Sequence, residues 1–576
     1  MKKRVKRGSS PIDDGAATDE SVVEADAAAL LELPSRRKRS LRVGVILDDS
    51  WERHRGLLEA LRRRAKLVLF VRDAVAVELD TGAALTFSTR AELHELLLQR
   101  PARDLFLDLR STTAAKQLAI WRVAYFHVRE GGVYAHLRPE AQGFSGWTEK
   151  VALLAGEQKA KGEDFTELAE STRRVRVVEL HMGEMVSYRK DLQHIYQMHD
   201  SDAATLAPRR LPGLDVDLLG SVPTATVASR ATVHHHGAAK EMIGFDDVFT
   251  VPELHIWHYR GKIALDSHML TYRGATALPP SFRFPDQPRL LSPRVRRVAD
   301  DWARMPPTVE RPAVTLEGDY FDFNAGYPSM FGHVLTQSVH KLWAWDEAKR
   351  RLPELKALAY IREGHEPTVE RALLNAYGIE DDDIYFTSEP VFLQSYVSPT
   401  IIWQYARPCY ASPLALDVWR RIGRGLGVRD VVPRERLFIS RRDASSIHRA
   451  CRNTSEVEEV FRDHGFTIVY PEEHPLAEQA RIFSGAKVLA GFGGSGMFNM
   501  MYGAPEHVIV LNHDGYRVRN EHLYTALLGG TADYFWSAAD IPHPEGSYTK
   551  EAFASPWRFD FERNGRALNE LLAALS

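Results

Sequence analysis

The sequence predicts an α/β protein, and three observations support that fold class. Short apolar runs, which are typical of strands buried in a parallel sheet, alternate with stretches whose apolar residues recur at helical spacing. The alternation is clearest over residues 437–511, where the runs LFIS, TIVY, KVLA and HVIVL are separated by helical patterns. A glycine-rich loop, AGFGGSG, follows the third run. Parallel sheets bind ligands at such loops, beyond the carboxyl ends of their strands.

Composition and charge narrow the class of protein. A chain of 576 residues is too long for one hydrophobic core, so several domains are expected. The net charge of −3 gives no electrostatic basis for binding nucleic acid or an anionic membrane. Two cysteines cannot form a disulfide framework, and no apolar run approaches the roughly 20 residues that span a bilayer. We expect a cytoplasmic protein with at most peripheral membrane contact.

The first 170 residues predict a tail followed by a small domain. Residues 1–40 are expected to be disordered, because two basic runs bracket an alanine-rich and acidic segment with few large apolar residues. Residues 41–170 predict an α/β domain with the strands RVGVIL, KLVLFV and DLFLDL. The order DLFLDL, helix, GGVYA is similar to the later part of a class I methyltransferase domain. The first strand runs into DDSWERHRG, however, with no glycine-rich loop to admit a cofactor. We therefore expect a non-catalytic accessory domain, and an active methyltransferase is the alternative.

Residues 171–425 predict a further α/β region. The segment Leu254–Asp266 is expected to form a hairpin that turns at Arg260–Gly261. A strong helical pattern then runs from Phe331 to Pro353 and places His333, Thr336, Gln337 and His340 on one face. Such a face can line a cleft, or its histidines can lie at the edge of the core with backbone partners.

Residues 426–576 contain the clearest candidates for ligand binding. Arg441, Arg442 and Arg452 lie in the loop after the first strand, and guanidinium groups match phosphate oxygens. Gly491, Gly493 and Gly496 satisfy G-x-G-x-x-G, which also occurs in dinucleotide enzymes. Here the motif follows the third strand of its unit, and too little chain remains for the rest of a dinucleotide fold. An anion site made by the glycine backbone and the start of the next helix is the interpretation that remains.

These pieces, in this order, resemble glycosyltransferase family 61, whose bacterial members include capsular polysaccharide transferases. The matching segments are FGHVLTQ (331–337), SRRD (440–443), CRNTSE (451–456), GFTIVYPEE (465–473) and AEQARIFSGAKVLAGFGG (477–494), with Asn499 beyond. His333 falls on the histidine of the family. Three positions depart from its pattern: Gly493 replaces a histidine, Gln337 an acid and Val510 a glutamate.

The resemblance implies a GT-B architecture, in which two Rossmann-like domains face each other across a cleft. Residues 171–425 would take the acceptor, and residues 426–576 a nucleotide-sugar. The implied reaction is inverting, metal-independent transfer of a hexosyl or pentosyl group to a glycan or other hydroxyl acceptor, in surface or capsular polysaccharide synthesis. It needs no cofactor and no nucleic acid. A catalytically inactive family member that acts as a nucleotide-binding, glycan-binding or scaffold protein is the alternative.

The resemblance also implies roles for individual residues. His333 is expected to be the general base, because a histidine with a pKa near neutrality suits that task, and Arg442 is expected to stabilise the leaving diphosphate. The expected donor-binding residues are Arg441, Arg452, Asn453, Glu478, Gln479, Gly493, Gly494, Ser495 and Asn499.

Overall fold

A computed structural model describes most of the chain. The described residues are 20–34, 40–73, 84–110, 112–137, 174–237, 244–282, 295–299, 301–305, 312–429, 435–441 and 449–575. They divide into two compact units. The first comprises Met1–Tyr196, Leu206–Pro212 and Arg296–Pro307, and the second comprises Gln197–Thr205, Gly213–Val295 and Thr308–Ser576. Within the described ranges, no helix is long and apolar enough to cross a membrane.

The first unit is built on a mostly parallel sheet. Its strands, in spatial order, are Leu85–Phe87, Ala65–Arg72, Leu41–Leu47, Arg103–Asp108, Val128–Leu137, Gly183–Arg189 and Arg174–Leu180. Only Gly183–Arg189 runs antiparallel to its neighbours. The three strands predicted from RVGVIL, KLVLFV and DLFLDL form and pair in parallel, because their apolar side chains are buried on both faces of the sheet. The unit extends past the predicted boundary at residue 170.

Within the predicted tail of residues 1–40, a helix over Glu20–Glu32 corrects the expectation of disorder for that segment, whereas residues 1–19 and 35–39 lie outside the described ranges. Glu20–Glu32 is helical, and Ala27 and Leu30 are buried against the helix Arg55–Arg64. The carboxylate of Asp26 accepts hydrogen bonds from the backbone N–H groups of His181 and Met182. The few apolar residues of this helix form too weak a pattern for the sequence alone to predict it. The helix is stabilised by contacts with residues farther along the chain.

The second unit contains two main sheets. The strands of the first, in spatial order, are Thr276–Ala277, Thr271–Arg273, Leu254–Leu265, Val391–Pro399, Val314–Asp322, Lys356–Tyr360 and Ile384–Thr387, and Asp215–Val222 also pairs with Leu254–Leu265. The strands from Val391–Pro399 to Ile384–Thr387 are parallel to one another.

The predicted hairpin at Arg260–Gly261 is wrong. Leu254–Leu265 is one strand with an irregularity between Arg260 and Ile263, and it pairs with a strand on each side. Gly261 has a φ of +131°, and a side chain there would come within 2.4 Å of the Gly213 carbonyl oxygen. The glycine therefore serves a bulge rather than a turn.

The second sheet of this unit is parallel and contains all the strands predicted over residues 437–511. In spatial order it consists of Ala231–His236, Gly530–Ser537, His507–His513, Ala486–Phe492, Glu435–Ile439 and Thr467–Val469. The carboxyl ends of two neighbouring strands, Glu435–Ile439 and Ala486–Phe492, lead into the arginine-rich loop and the glycine-rich loop respectively. This adjacency places both loops at one edge of the sheet.

The helices of eight or more residues in the described ranges are Glu20–Glu32, Arg55–Arg64, Arg90–Leu98, Ala114–Ala124, Ala203–Arg210, Thr368–Tyr377, Leu414–Gly425, Thr454–Asp463, Leu476–Ser484, Ser495–Tyr502, Asn520–Leu528 and Phe561–Ala574, together with a continuous helical segment from Phe331 to Arg351. Short strand pairs also form, Ala225–Ala228 with Val248–Val251, Trp403–Gln404 with Tyr410–Ala411, and Trp302–Arg304 with Arg296–Ala299 and His194–Gln197.

One hydrophobic core joins the two sheets of the second unit. It contains Phe321 from the first sheet, Leu489 from the second, and Leu335 from the helical segment between them. The α/β fold class is therefore confirmed. The core contains residues from both sides of residue 425. The division into two Rossmann-like halves at that residue therefore stays a prediction.

Candidate functional site

The helical segment that carries His333 combines several kinds of turn. It begins as Phe331–His333, widens into a π-helical turn at Val334–Ser338, tightens over Val339–Ala344 and ends as Trp345–Arg351. Side chains after the π turn are rotated away from the face that regular helical spacing predicts, and π turns are frequent at functional sites.

His340 is a core residue. Its ring is stacked on the ring of Trp403, and the two ring centres lie 4.5 Å apart. Its Nε2 accepts a hydrogen bond of 3.2 Å from the indole N–H of Trp419. Burial lowers the pKa of His340 to about 3, so the ring is neutral at physiological pH. Of the two histidines predicted on one helical face, His340 therefore packs the interior, and the candidate for chemistry is His333.

His333 is linked to the backbone through Gln337. The amide Nε2 of Gln337 lies 2.8 Å from His333 Nδ1, and its Oε1 accepts a hydrogen bond of 2.7 Å from the N–H of Gly326. Gln337 is 1% exposed, and the His333 ring lies 4.8 Å from the ring of Tyr327. The imidazole is thus held in one orientation by a buried amide that is itself fixed to the main chain.

The start of this helix touches the glycine-rich loop. A side chain at Gly332 would come within 2.9 Å of the β-carbon of Ser495 and within 3.4 Å of the Phe498 ring. The absence of a side chain at Gly332 therefore allows the close approach. Two segments separated by about 160 residues, which were predicted to share a site, lie side by side within the second unit.

The glycine-rich loop uses two of its N–H groups internally. Gly493 donates to the carbonyl of Leu511 at 3.0 Å, and Gly494 donates to the Glu521 carboxylate at 2.6 Å. A side chain at Gly493 would meet the amide nitrogen of Asn512 at 2.3 Å. Asn512 thus occupies the space that a histidine at position 493 requires, which explains why this chain has glycine there.

Two arginines converge on Gly494. A methyl group on Gly494 would lie 2.6 Å from a guanidinium nitrogen of Arg441 and 3.2 Å from one of Arg449. Burial lowers the pKa of Arg441, and the charge of neighbouring Arg449 lowers it further. Two like charges this close repel each other, so an anion between them is stabilised. We call Arg441, Arg449, Gly494 and Glu521 the anion site.

Arg449 was missed by sequence reasoning and is tightly constrained. Its backbone adopts a φ of +69°, which is uncommon for a residue with a side chain. Its guanidinium lies 4.5 Å from the ring centre of Tyr516 and 4.9 Å from that of Phe553. Its Nε is buried with no hydrogen-bond partner among the described residues. A buried donor of this kind, beside a glycine-rich loop, is suited to bind an anion.

Glu521 and His513 complete the surroundings of Arg449. Burial raises the pKa of Glu521, which accepts hydrogen bonds from Gly494 and from the hydroxyl of Tyr516. Burial, together with the charge of Arg449, lowers the pKa of His513 to about 3. Both ring nitrogens of His513 lack partners within the described part of the chain. No local signal in the sequence distinguishes these residues, since each becomes relevant only through its neighbours in space.

Several residues predicted to bind the donor make contacts within the protein. The guanidinium of Arg452 pairs with Asp540 at 2.6 Å, and both amide atoms of Asn453 bond to the backbone of Phe559. Gln479 donates to the carbonyls of Pro471 and His474. These interactions hold the loops that frame the glycine-rich loop. A role in binding a donor stays a prediction for all three.

The remaining predicted residues are Glu478, Asn499 and Arg442. Glu478 is partly exposed and lies 3.2 Å from the Nδ1 of His474. Asn499 is buried, donates to the Gly496 carbonyl at 3.1 Å, and has an Oδ1 without a partner among described residues. Arg442 lies outside the described residues. In the ranges that the structure describes, no group of three or more histidine, cysteine, aspartate or glutamate side chains is arranged to hold a metal ion.

In the first unit, buried side chains of the protein occupy the space beyond the carboxyl ends of two central strands. After the strand Leu41–Leu47 the chain turns into Trp51–His54, and Trp51 is 4% exposed within the core. At the end of Arg103–Asp108, the fully buried Asp108 forms an ion pair of 2.7 Å with Arg110. The candidate functional site is therefore in the second unit.

A protein-family model matches residues 331–510, from the start of the His333 helix into the strand His507–His513. The family is glycosyltransferase 61. The match confirms the resemblance predicted from the sequence motifs and covers just under a third of the chain. The glycosyltransferase 61 region contains His333, Arg441, Arg449 and Gly494, whereas Glu521 follows it.

Comparison with proteins of curated function gave no match. Solved structures similar to the chain include the MycE methyltransferase of the mycinamycin biosynthetic pathway, at 14% identity and a TM-score of 0.22 over 30% of this chain and 49% of that one. A protein-(glutamine-N5) methyltransferase from Alicyclobacillus acidocaldarius is 11% identical, with a TM-score of 0.17 over 30% of this chain and 91% of that one. The chain thus spans about half the length of the MycE enzyme. TM-scores this low carry no argument about fold or function.

Proposed function

We propose that this protein is a glycosyltransferase that moves a sugar from a nucleotide-sugar donor to a hydroxyl group of a glycan or other acceptor. The observation that carries the proposal is the convergence of Arg441 and Arg449 on Gly494, within the region that matches glycosyltransferase 61. The start of the His333 helix packs against the adjacent Ser495. These contacts support the proposal that the two arginines bind the diphosphate and that the His333 helix contributes to the same site.

In the proposed reaction, the acceptor oxygen forms a bond to the anomeric carbon of the sugar. The bond from that carbon to the diphosphate breaks, and the diphosphate leaves with the electron pair, while the acceptor proton passes to a base. Negative charge grows on the leaving oxygen, and Arg441 and Arg449 are positioned to stabilise it. The proposed mechanism is inverting and uses no metal, with the arginines supplying the positive charge.

The setting of the reaction is also a proposal. We propose a cytoplasmic enzyme of surface or capsular polysaccharide synthesis, with a nucleotide-sugar donor as its small-molecule partner and no cofactor. The two sheets of the second unit would correspond to the GT-B halves, one for the acceptor and one for the donor. The first unit would serve as an accessory domain.

A second candidate function is binding without catalysis. The buried carboxylate of Glu521 already accepts the Gly494 N–H, so in either candidate a phosphate would be bound by the two arginines rather than by this N–H. Gln337 and Gly493, which replace an acid and a histidine of the family pattern, favour binding without catalysis. The protein would then hold a nucleotide or glycan for another partner.

The two candidates are separated by one set of measurements. A thermal-shift screen against nucleotide-sugars should identify the donor, and release of nucleoside diphosphate with a panel of saccharide acceptors should then report transfer. Transfer by the native protein that falls in His333→Ala supports the enzyme. Donor binding without turnover supports the second candidate. No binding of any nucleotide-sugar at millimolar concentration contradicts both.

A further inference from the structure

The buried amide of Gln337 has only one possible orientation. The Gly326 N–H can only donate, and it lies 2.7 Å from one end of the amide, so that end must be the oxygen Oε1. Turning the amide over would bring two donors together at this distance and leave both unsatisfied in the protein interior. The other end, which lies 2.8 Å from His333 Nδ1, is therefore the nitrogen Nε2.

This orientation fixes the proton of His333. The amide nitrogen has only hydrogens to offer, so Nδ1 must accept, and its lone pair is used in that bond. A neutral imidazole carries one proton, which must then sit on Nε2. We infer that Gln337 holds His333 in the Nε2–H tautomer, so that neutral His333 has no lone pair left to take the acceptor proton and is not the general base predicted from the sequence.

The surroundings keep this arrangement in place. Gln337 is 1% exposed within the π-helical turn Val334–Ser338, all of whose residues are buried. The ring of Tyr327 lies 4.8 Å from the imidazole and restricts its rotation. Gln337 is thus a positioning residue, which acts on chemistry through His333.

The inference deepens the proposed function by excluding one role for His333. In this tautomer Gln337 uses the Nδ1 lone pair, and Nε2 carries the proton. The proton of the attacking hydroxyl must then pass to a base other than neutral His333. The catalytic consequence rests on the proposed function, whereas the tautomer is a property of the protein alone.

The substitution Gln337→Glu tests the tautomer with almost no change of shape. One carboxylate oxygen can still accept the Gly326 N–H, while the other now requires a proton on His333 Nδ1. Long-range ¹H–¹⁵N correlation spectra of histidine-labelled protein distinguish the two tautomers, and loss of a signal in His333→Gln assigns it. We expect an unprotonated Nδ1 in the native protein and a protonated Nδ1 in Gln337→Glu. A protonated Nδ1 in the native neutral ring would overturn the inference.

Activity provides the second readout. Neutral His333 in the native tautomer cannot take the acceptor proton, so we expect transfer in Gln337→Glu to be no faster than in the native protein, with the native fold retained. Gln337→Met loses both amide contacts and serves as the control for a merely structural effect, since it leaves the tautomer unassigned. Faster transfer in Gln337→Glu would show that His333 works best as a base and would overturn the exclusion of that role. If the native protein transfers no sugar with any donor, the proposed function fails, and the spectra still decide the tautomer.

Discussion

Replacing Arg449 by leucine should weaken the binding of a nucleoside diphosphate. The guanidinium lies against the rings of Tyr516 and Phe553, and one of its nitrogens lies 3.2 Å from the position that a β-carbon on Gly494 would take. Leucine keeps an apolar side chain against the two rings. The substitution therefore removes the charge and the donors while preserving most of the packing.

The expected magnitude follows from the contacts that are lost. A hydrogen bond to a charged group contributes about 1.5–3 kcal/mol, which corresponds to roughly a tenfold to hundredfold increase in Kd. The loss of the cation–π interactions with the two rings costs about 1 kcal/mol of stability. Part of that is offset because Arg441 no longer faces a like charge. The protein should remain folded, so that binding can be measured.

Titration calorimetry with UDP, GDP and dTDP measures the effect, and Arg452→Ala is the matched control. Arg452 comes from the same loop, but its side chain is 63% exposed and pairs with Asp540. We expect its removal to change Kd by less than about threefold, as for a surface ion pair. Unchanged affinity in a folded Arg449→Leu protein would refute the anion site. So would a larger loss in Arg452→Ala, which would instead favour the sequence-based assignment.

Three further predictions concern the site and its support. Gly494→Ala should reduce the affinity for a nucleoside diphosphate by about tenfold in the same titration. The added methyl group would displace Arg441, and the φ of +140° at this position disfavours a residue with a side chain. An unchanged affinity would contradict this prediction. Gly493→Ala should destabilise the protein by about 1–3 kcal/mol, because the added methyl group meets the Asn512 side chain. In a double-mutant cycle measured by urea denaturation, Asn512→Ala should restore much of the lost stability. Additive effects of the two substitutions would exclude the contact. Burial holds the pKa of His340 at about 3, below its ordinary value of 6.5, so the unfolded chain binds more protons between these values and stability falls as pH is lowered through that window. His340→Gln should therefore flatten the dependence of unfolding free energy on pH between 6.5 and 5 by up to about 1.4 kcal/mol per pH unit, and an unchanged slope would contradict the neutral buried ring.

Local sequence patterns predict the strands that carry the candidate site. The runs at Glu435–Ile439 and Ala486–Phe492 were readable because a strand covered on both faces must be apolar along its length, which is a local property. The topology of a parallel sheet then required their loops to meet at one edge. His333 was readable as a candidate, and the family match bears out the resemblance that indicated it.

Contacts between distant segments determine how these strands and loops are used. The chain around Gly261 forms a bulge because strands pair on both sides of it, whereas local sequence indicates a turn. Arg449 became a ligand candidate through Gly494, and the proton of His333 is assigned through Gln337 and Gly326. Each of these outcomes depends on which donor meets which acceptor across the fold. These hydrogen bonds and contacts join segments that are far apart in the sequence, so no local sequence pattern predicts them. Hydrophobic periodicity therefore predicts the helices and strands, whereas the contacts between them determine the chemistry of the site.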